Sequence, residues 1–594
     1  DSMCPTAPLL LTATSSSAAL LPTSSSLAAQ LRQDWRSAFA TQPLEFSRVS
    51  LRIDGVLPEE LRGGTFFKNA PARFERGGIE YAHWLDGDGY VTSLALDDGM
   101  ATWSARYVRT DAFDNEDASD AVEWRTTFGT QKPGGVLANA MDIKLKSPAN
   151  TNVMLFGDKL YALWEAGPPY ALDPHTLECQ GASDLGGRLR LSSSHGALPG
   201  TVGVAAVDRL LEAAGLLTDA CSAHPREDAR DRQNTVAWSW RQRLVGEPAI
   251  EVALHNLPMA HASDDDDATA APAEPVTSTL HGVAFAPHDM ALSRARALFV
   301  ASPTRVDILP FILGIRGPAQ CSVFDKAATL PAGSTSYIHV VPRTDGNGQL
   351  DGAGGHREAL AVAIGQPFHP VHSCNAWDDE SDGSRVQLLV SCWPPAAVRR
   401  LAFVGSSLLG SWEELRDGDF SGVPMTNLVR FEIDTRSERV ISHAILADGA
   451  QLDHPKVHPR VHTRESRFVF ATLGRHDNGG DEDATPRPPQ SFGCVDLAAA
   501  GGSGELVDAW HAGPRRLVDE ATLVAMAPAD ASEDVDERAV WLIAPIFDGE
   551  TRTTSYVVLD GRRLSDGPVC ELHLPEGTFV PWGLHGCWQE PASS

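Results

Sequence analysis

The sequence predicts an all-β protein whose sheets form a closed arrangement, such as a β-propeller. Short alternating or apolar runs recur from about Leu44 onward, for example NVMLFGDKLYALW, RVQLLVSCW and AVWLIAPIFD. Clusters of Gly, Pro, Asp and Asn separate these runs, as turns separate strands. Few stretches show a helical period. Many short strands without long helices between them favour an architecture in which radial repetition hides the sheet edges.

The predicted organisation is one large domain that follows a tail. Residues 1–43 begin with a stretch rich in Ser, Ala and Leu and are predicted to be a flexible N-terminal tail or the remnant of a targeting segment. Candidate helices lie near Ser26–Phe39 and Val204–Ala214. Residues 44–594 are predicted to be a single domain. Acidic, Gly-rich or Pro-rich composition predicts mobile surface insertions near residues 260–276, 343–356 and 474–490.

Composition and charge exclude several classes of protein. The chain has 594 residues and 42% hydrophobic residues, which is typical of a folded globular protein. Its formal net charge of -29 opposes binding to nucleic acid or to an anionic lipid surface. No apolar run approaches the roughly 18 residues of a membrane-spanning helix. The cysteines form no CxxC pair, which argues against a thiolate zinc site and favours a reducing, intracellular compartment.

Four of the 20 histidines lie beside apolar, strand-like runs with a small or turn-forming neighbour. They are His224, His288, His372 and His585. No two are close in sequence, so a site made of all four requires different strands that converge on an axis, and a propeller supplies such an axis. For each histidine taken alone, a core or loop position satisfied by a hydrogen bond is the alternative. The spacing does not decide between the two interpretations.

Ordered segments along the chain carry a resemblance to a known family. They include EYAHWLDGDGYVTSLAL (80–96), ANTNVMLFGDKLYALWEAGPPYALDPHTLE (149–178), AHPRED (223–228), HDMALS (288–293), HSCNAW (372–377), HPKVHPR (454–460) and LPEGTFVPWGLHGCW (574–588). With these segments the chain resembles the carotenoid cleavage oxygenases, a family that also contains retinoid isomerases and stilbene-cleaving dioxygenases. The resemblance implies a seven-bladed β-propeller with a helical cap over the iron-bearing face.

The resemblance also implies a metal site. It implies a non-haem Fe(II) ion held by His224, His288, His372 and His585. Four neutral imidazoles leave the ion's charge at +2 and, in an octahedral arrangement, leave up to two coordination positions open.

Acidic partners are expected around these histidines, because a ligating imidazole usually donates its other N–H to a carboxylate or carbonyl. The resemblance implies Glu165 as one partner and Asp453 as a second, at a position where the family has glutamate. The third is expected in EATLVAMAPADASEDVDERAVWLIAPIFD, with Glu533 as the choice and Asp534 as the alternative. Thr151 matches a family threonine whose methyl group lies close to an open iron position, and an ordinary strand threonine is the other interpretation.

The implied reaction is cleavage of a C=C bond by O2 to give two carbonyl products. Stilbene-cleaving members tend to carry Lys just before the glutamate matched by Glu165, whereas this chain has Trp164, which favours an apolar carotenoid or apocarotenoid substrate. The alternatives are stilbene cleavage, a retinoid-type isomerisation, and a non-enzymatic scaffold or apocarotenoid-binding propeller. An apolar patch near Ile308–Ile315, with Ala402–Trp412, is the candidate for peripheral membrane contact, and a buried helix or strand of the cap is the other interpretation. A plastid or the cytoplasm is the expected location.

Overall fold

The structure is a computed structural model that describes residues 24–192, 198–228, 234–258, 274–306, 308–324, 334–343, 354–398, 425–475, 487–526 and 535–591. Within these ranges 45% of the chain is strand and 13% is helix, which confirms the all-β prediction. The α-helices are α1 Ser24–Ser37, α2 Asp111–Ser119, α3 Gly135–Asn139, α4 Ala205–Ala213 and α5 Leu309–Ile312. None of the helices in the described part of the chain is long and apolar enough to cross a membrane.

The strands are numbered in chain order. The N-terminal half contains β1 Phe46–Ser50, β2 Arg52–Gly55, β3 Thr65–Arg73, β4 Glu75–Arg76, β5 Ile79–Glu80, β6 Asp88–Asp97, β7 Met100–Tyr107, β8 Asn152–Phe156, β9 Lys159–Leu163, β10 Tyr170–Leu172, β11 Cys179–Ala182, β12 Leu198–Thr201, β13 Leu217–Thr218, β14 Ala220–Cys221, β15 Arg226–Glu227, β16 Asn234–Arg243, β17 Ala249–Pro258, β18 Val276–His281 and β19 Ala291–Leu292. The C-terminal half contains β20 Arg296–Ala301, β21 Thr304–Val306, β22 Ser322–Phe324, β23 Tyr337–Pro342, β24 Gly355–His356, β25 Leu360–Ala363, β26 His369–Asp378, β27 Arg385–Trp393, β28 Asn427–Asp434, β29 Arg439–Leu446, β30 Gln451–Lys456, β31 Phe468–Arg475, β32 Ser491–Asp496, β33 Glu505–His511, β34 Arg516–Val518, β35 Thr522–Ala525, β36 Val540–Asp548, β37 Thr553–Asp560, β38 Pro568–His573 and β39 Gly586–Gln589.

Most strands pair antiparallel with their neighbours in sequence. Strands β26 to β29 form one four-stranded sheet in chain order, and β30 to β33 form the next. Along a sheet, burial falls toward the last strand: β27 is almost entirely buried, whereas β29 is mostly exposed. In the described residues, the sheets with four or more strands contain 5, 4, 8, 4, 6, 4 and 4 strands. Their number agrees with the seven expected blades, and the assignment of one blade to each sheet stays a prediction.

The core lies between neighbouring sheets. One apolar cluster joins β20 and β23 to β27 and β28, the next joins β27 to β31, and another joins β32 to β36. Each sheet therefore buries both faces against its neighbours, which explains continuous apolar sequences such as VWLIAPIFD in β36. A ring of packed sheets brings the first strand of each sheet toward a common axis.

Strands from the two ends of the chain close the ring. The last strand, β39, pairs antiparallel with β3, and β38 pairs with β2. These pairings place strands from both ends of the chain in the same two sheets and thereby hold the first and last sheets of the ring together. They also place the segment that precedes β39, which contains His585, beside the N-terminal sheet.

The N-terminal segment differs from the predicted tail. Within residues 1–43, α1 is a helix whose last turn packs on the domain: Trp35 and Phe39 are buried, and Asp34 pairs with Arg515 at 2.7 Å. The apolar contacts and the ion pair explain why this part is folded. Residues 1–23 lie outside the described residues, as do the central parts of the three predicted insertions and Ala402–Trp412.

Candidate metal centre

The four predicted histidines converge, although each comes from a different part of the fold. His224 follows β14, His288 precedes β19, His372 lies in β26, and His585 directly precedes β39. The ring centroid of His224 lies 4.3 Å from that of His288, 5.7 Å from that of His372 and 4.7 Å from that of His585. The centroids of His372 and His585 are 5.0 Å apart. The structure therefore brings together all four residues that the sequence singled out.

Three carboxylates contact three of these rings through their Nδ1 atoms. Glu165 Oε1 contacts His288 Nδ1, Asp453 Oδ1 lies 2.7 Å from His372 Nδ1, and Glu520 Oε1 lies 3.1 Å from His585 Nδ1. A carboxylate on Nδ1 holds the ring proton there and leaves the Nε2 lone pair available. Each of these three rings is thus oriented as a metal ligand requires.

Asp453 reaches His372 in spite of its short side chain. Strand β26 has register shifts on both sides of His372, and His454 has a φ of +50°, in the left-handed region. The carboxylate Oδ1 also accepts hydrogen bonds from Ser391 Oγ at 2.9 Å and from the His454 backbone N–H at 2.8 Å. The local backbone and these two donors aim the shorter side chain at the imidazole.

The described residues place a carboxylate other than the predicted Glu533 beside His585. Glu533 and its alternative Asp534 lie outside the described residues. Glu520, the first residue of the segment in which the third carboxylate was expected, is the partner of His585. Its signal in the sequence is its place just before the apolar run TLVAM, because the start of an inner strand lies near the axis.

The remaining histidine, His224, supplies the clearest test of whether a metal fits. Its Nε2 atom is buried and has no hydrogen-bond partner, and Glu165 Oε1, at 3.7 Å, is too far for a hydrogen bond. Donor atoms of His224, His372 and His585 lie within 4.8 Å of one another. A buried nitrogen without a partner is costly unless something binds it. Imidazole nitrogens at this spacing suit a divalent transition-metal ion such as Fe(II).

The electrostatics favour ionised carboxylates beside these histidines, and although burial opposes it, the charge of Glu165 raises the pKa of His288. Burial, reinforced by His288, holds the pKa of His224 well below its usual value. Burial alone would raise the pKa of Glu165, but the charges and hydrogen bonds of His288 and His224 together lower that pKa further than burial raises it. In the same way, His372 keeps the pKa of Asp453 low, and Lys456 together with His585 keeps that of Glu520 low.

Two other residues lie at the edge of this cluster. The carbonyl oxygen of Thr151 accepts a 3.2 Å hydrogen bond from the His585 backbone N–H, so the threonine is next to a proposed ligand, while its proposed effect on an open coordination position stays a prediction. His454, which the sequence did not single out, has its ring centroid 4.8 Å from that of His372. Burial lowers the pKa of His454 to about 3.

Comparisons with known proteins agree with this centre. The family model described as "Retinal pigment epithelial membrane protein" matches residues 39–590. The chain is 27% identical to the apocarotenoid-15,15'-oxygenase of Synechocystis over 94% of its length and 96% of that protein. It is 34% identical to carotenoid cleavage oxygenase 1 of Neurospora crassa over 91% of its length and 87% of that protein.

A solved structure supports the fold as well. A variant of Synechocystis apocarotenoid oxygenase superposes with a TM-score of 0.73 and 25% sequence identity, over 94% of this chain and 99% of that one. The structural neighbours are propeller enzymes, which confirms the predicted propeller fold. The chain therefore belongs to the family of the retinal pigment epithelial membrane protein, which is the carotenoid oxygenase family that its sequence resembles.

Proposed function

We propose that this protein is an Fe(II)-dependent dioxygenase that cleaves one C=C bond of a carotenoid or apocarotenoid with O2. The observation that carries the proposal is the convergence of four histidines, three of them oriented by carboxylates, in a member of this family. In the reaction the alkene carbons and both oxygen atoms of O2 end as two carbonyl groups, so the equation balances without a further reductant. When bound, Fe(II) supplies the redox-active ion that lets O2 react with the alkene.

The residues of this chain have defined tasks in the proposal. The Nε2 atoms of His224, His288, His372 and His585 hold the ion. Glu165, Asp453 and Glu520 keep the proton on Nδ1 of their histidines and fix the ring planes. Thr151, beside His585, limits what occupies an open coordination position. The bond that reacts is then selected by how deeply the substrate is held, because position rather than reactivity distinguishes the double bonds of a polyene.

Trp164 supports an apolar substrate. It is buried directly before Glu165, and Gly167 leaves room for it: a Cβ atom on Gly167 would lie 3.0 Å from the Trp164 ring. A buried indole cannot offer the positive charge with which a lysine binds a phenolic hydroxyl. We therefore place carotenoids and apocarotenals before hydroxystilbenes.

The substrate has to leave a lipid phase, and the proposal includes an apolar contact with a membrane. Ile308–Ile315 exposes several large apolar side chains, among them Leu309 at 58%. The Met141 backbone N–H donates to the Ile312 carbonyl at 2.8 Å, so the end of α3 adjoins α5, and α3 itself adds Leu137, which is 97% exposed. With a net charge of -29, binding should be hydrophobic. Leu137→Ser with Leu309→Ser should reduce sedimentation with neutral phosphatidylcholine vesicles.

The same proposal places the protein inside a cell, in a plastid or in the cytoplasm. The eight cysteines in the described part of the chain are free thiols, which suits a reducing compartment.

The decisive experiment combines metal content with product analysis. The protein is loaded anaerobically with Fe(II) and exposed to labelled O2 with C40 carotenoids, shorter apocarotenals or resveratrol. Label in both aldehydes from a polyene is expected. Products from resveratrol alone would contradict the Trp164 argument, and geometric isomers without cleavage would favour a retinoid-type isomerase.

Two variants connect the reaction to the site. His372→Ala should lose iron and cleavage together, whereas His175→Ala, which changes an exposed histidine, should keep both. Unchanged iron content in His372→Ala would overturn the four-histidine site. Iron binding without any reaction in the unaltered protein would favour the scaffold or apocarotenoid-binding alternative.

A further inference from the structure

A lysine joins the carboxylates around the candidate metal centre. Lys456 Nζ lies 3.0 Å from Glu520 Oε1, the same oxygen that contacts His585 Nδ1. The other oxygen of Glu520 is buried and has no hydrogen-bond partner. Lys456 is therefore the second contact of the one oxygen through which Glu520 orients His585.

The position of Lys456 follows from strand β30. This strand also carries Asp453, the partner of His372, so β30 contributes to two different carboxylate–histidine pairs. Lys456 also lines a small pocket together with His454 and Thr472. Its side chain is 30% exposed, so solvent screens its charge only in part.

The balance of charge around the four histidines gives Lys456 a specific role. Glu165, Asp453 and Glu520 contribute three negative charges next to the histidines. Two further carboxylates nearby already have cations: Asp519 pairs with Lys68 at 3.2 Å, and Asp289 contacts Arg226. With Lys456 the surroundings of the donors carry a net charge of about -2, and a divalent ion makes the buried centre neutral. A net charge in a buried site is unfavourable.

We propose that Lys456 is a positioning residue that matches the charge of the centre to a divalent ion and thereby favours Fe(II) over Fe(III). Without its ammonium group the same carboxylates would match a trivalent ion. The inference rests on the proposed iron site, and it adds a determinant of the oxidation state of the ion.

The test compares the oxidation state of bound iron in Lys456→Met and in the unaltered protein. Iron-loaded samples are equilibrated with redox mediators at one potential, and Fe(III) is quantified by electron paramagnetic resonance. A unit charge at this position, with an effective dielectric constant of about 20 and partial screening, should change the Fe(III)/Fe(II) ratio by about tenfold. Lys456→Met should raise the ratio, while Co(II) should still bind.

Two further variants separate charge from structure. Lys456→Arg keeps the charge and should have the ratio of the unaltered protein, and Lys144→Met removes an exposed lysine and should also leave it unchanged. If Lys456→Met misfolds, Lys456→Gln takes its place, because it retains a polar group of similar length. An unchanged ratio in the neutral variants, or an equal shift in Lys456→Arg, would overturn the inference. An unaltered protein that binds no iron would instead overturn the proposed function.

Discussion

Asp453→Asn is the substitution that most directly tests how the carboxylates support the centre. Asp453 Oδ1 accepts hydrogen bonds from His372 Nδ1, Ser391 Oγ and the His454 backbone N–H, at 2.7, 2.9 and 2.8 Å. An asparagine oxygen can keep these neighbours, but it carries no charge. The bond to the imidazole then changes from charge-assisted to neutral, which costs about 1.4–2 kcal/mol. Metal affinity should fall by about 10- to 30-fold, within the range known for such partners.

The assay measures metal binding without turnover. Co(II) is titrated against a competing chelator without O2, and its visible absorption reports binding to nitrogen donors. Ser391→Ala removes the hydrogen bond that an uncharged hydroxyl donates to the same carboxylate oxygen and should cost about fivefold in affinity. Asp98→Asn, at an aspartate whose side chain is 90% exposed, is the matched control and should have no effect. If folded Asp453→Asn binds Co(II) as tightly as the unaltered protein, its carboxylate does not support His372.

Three further predictions concern the carboxylate assignment and the stability of the fold. Glu520→Gln should weaken Co(II) binding by about 10- to 100-fold, whereas Glu533→Gln should leave it unchanged; the reverse result in the same titration would reinstate the sequence-based choice. Burial lowers the pKa of His255 to about 4 from 6.5. Because the unfolded chain then binds this proton more tightly, protonation of His255 favours unfolding. The free energy of unfolding should fall by about 3 kcal/mol through this residue as the pH decreases from 7 to 4. His255→Gln should flatten that part of the pH dependence in urea titrations, and an unchanged slope would contradict the assignment. Lys146→Met removes the cation that lies 2.7 Å from Asp88 and 2.8 Å from Glu116 and leaves these buried carboxylates with Arg76, at 3.9 and 3.7 Å. The variant should lower the free energy of unfolding by about 3 kcal/mol, and a loss below about 1 kcal/mol would contradict the assignment.

The local pattern of the chain was sufficient to predict the strands but not how the ring closes. Runs such as VWLIAPIFD become buried strands because the alternation and apolar content of a few residues determine their preference. The pairing of β3 with β39 joins opposite ends of the chain, and no local signal encodes it. The same holds for α1: a helix near Ser26–Phe39 was predicted, but its ion pair from Asp34 to Arg515 spans 481 positions. Without these distant contacts, the composition of the N-terminal segment alone predicts a flexible tail.

The candidate metal centre, like the fold, could be predicted from the sequence only in part. The sequence identified His224, His288, His372 and His585 through family resemblance, since their spacing has no period. The segment in which the third carboxylate is predicted contains Glu520. Several other acidic residues in that segment offer the same functional group, and the sequence does not distinguish among them. Only the folded chain distinguishes Glu520, because contact with His585 depends on where β35 begins relative to β39. The compensation by Ser391 and His454 for the short Asp453 side chain likewise depends on backbone geometry, which the sequence does not display.

The position of His585 links the chemistry of the centre to the closure of the fold. This histidine directly precedes β39, the strand that pairs with β3, and its backbone N–H donates to Thr151 of the N-terminal half. His224, His288 and His372 come from sheets that lie between these two ends in the chain. An ion held by all four side chains therefore bridges the closing strand and the rest of the ring. Because the unfolded chain cannot assemble this donor set, the free energy of metal binding adds to the stability of the closed ring. Binding of the ion and the pairing of β3 with β39 therefore stabilise the same closed arrangement.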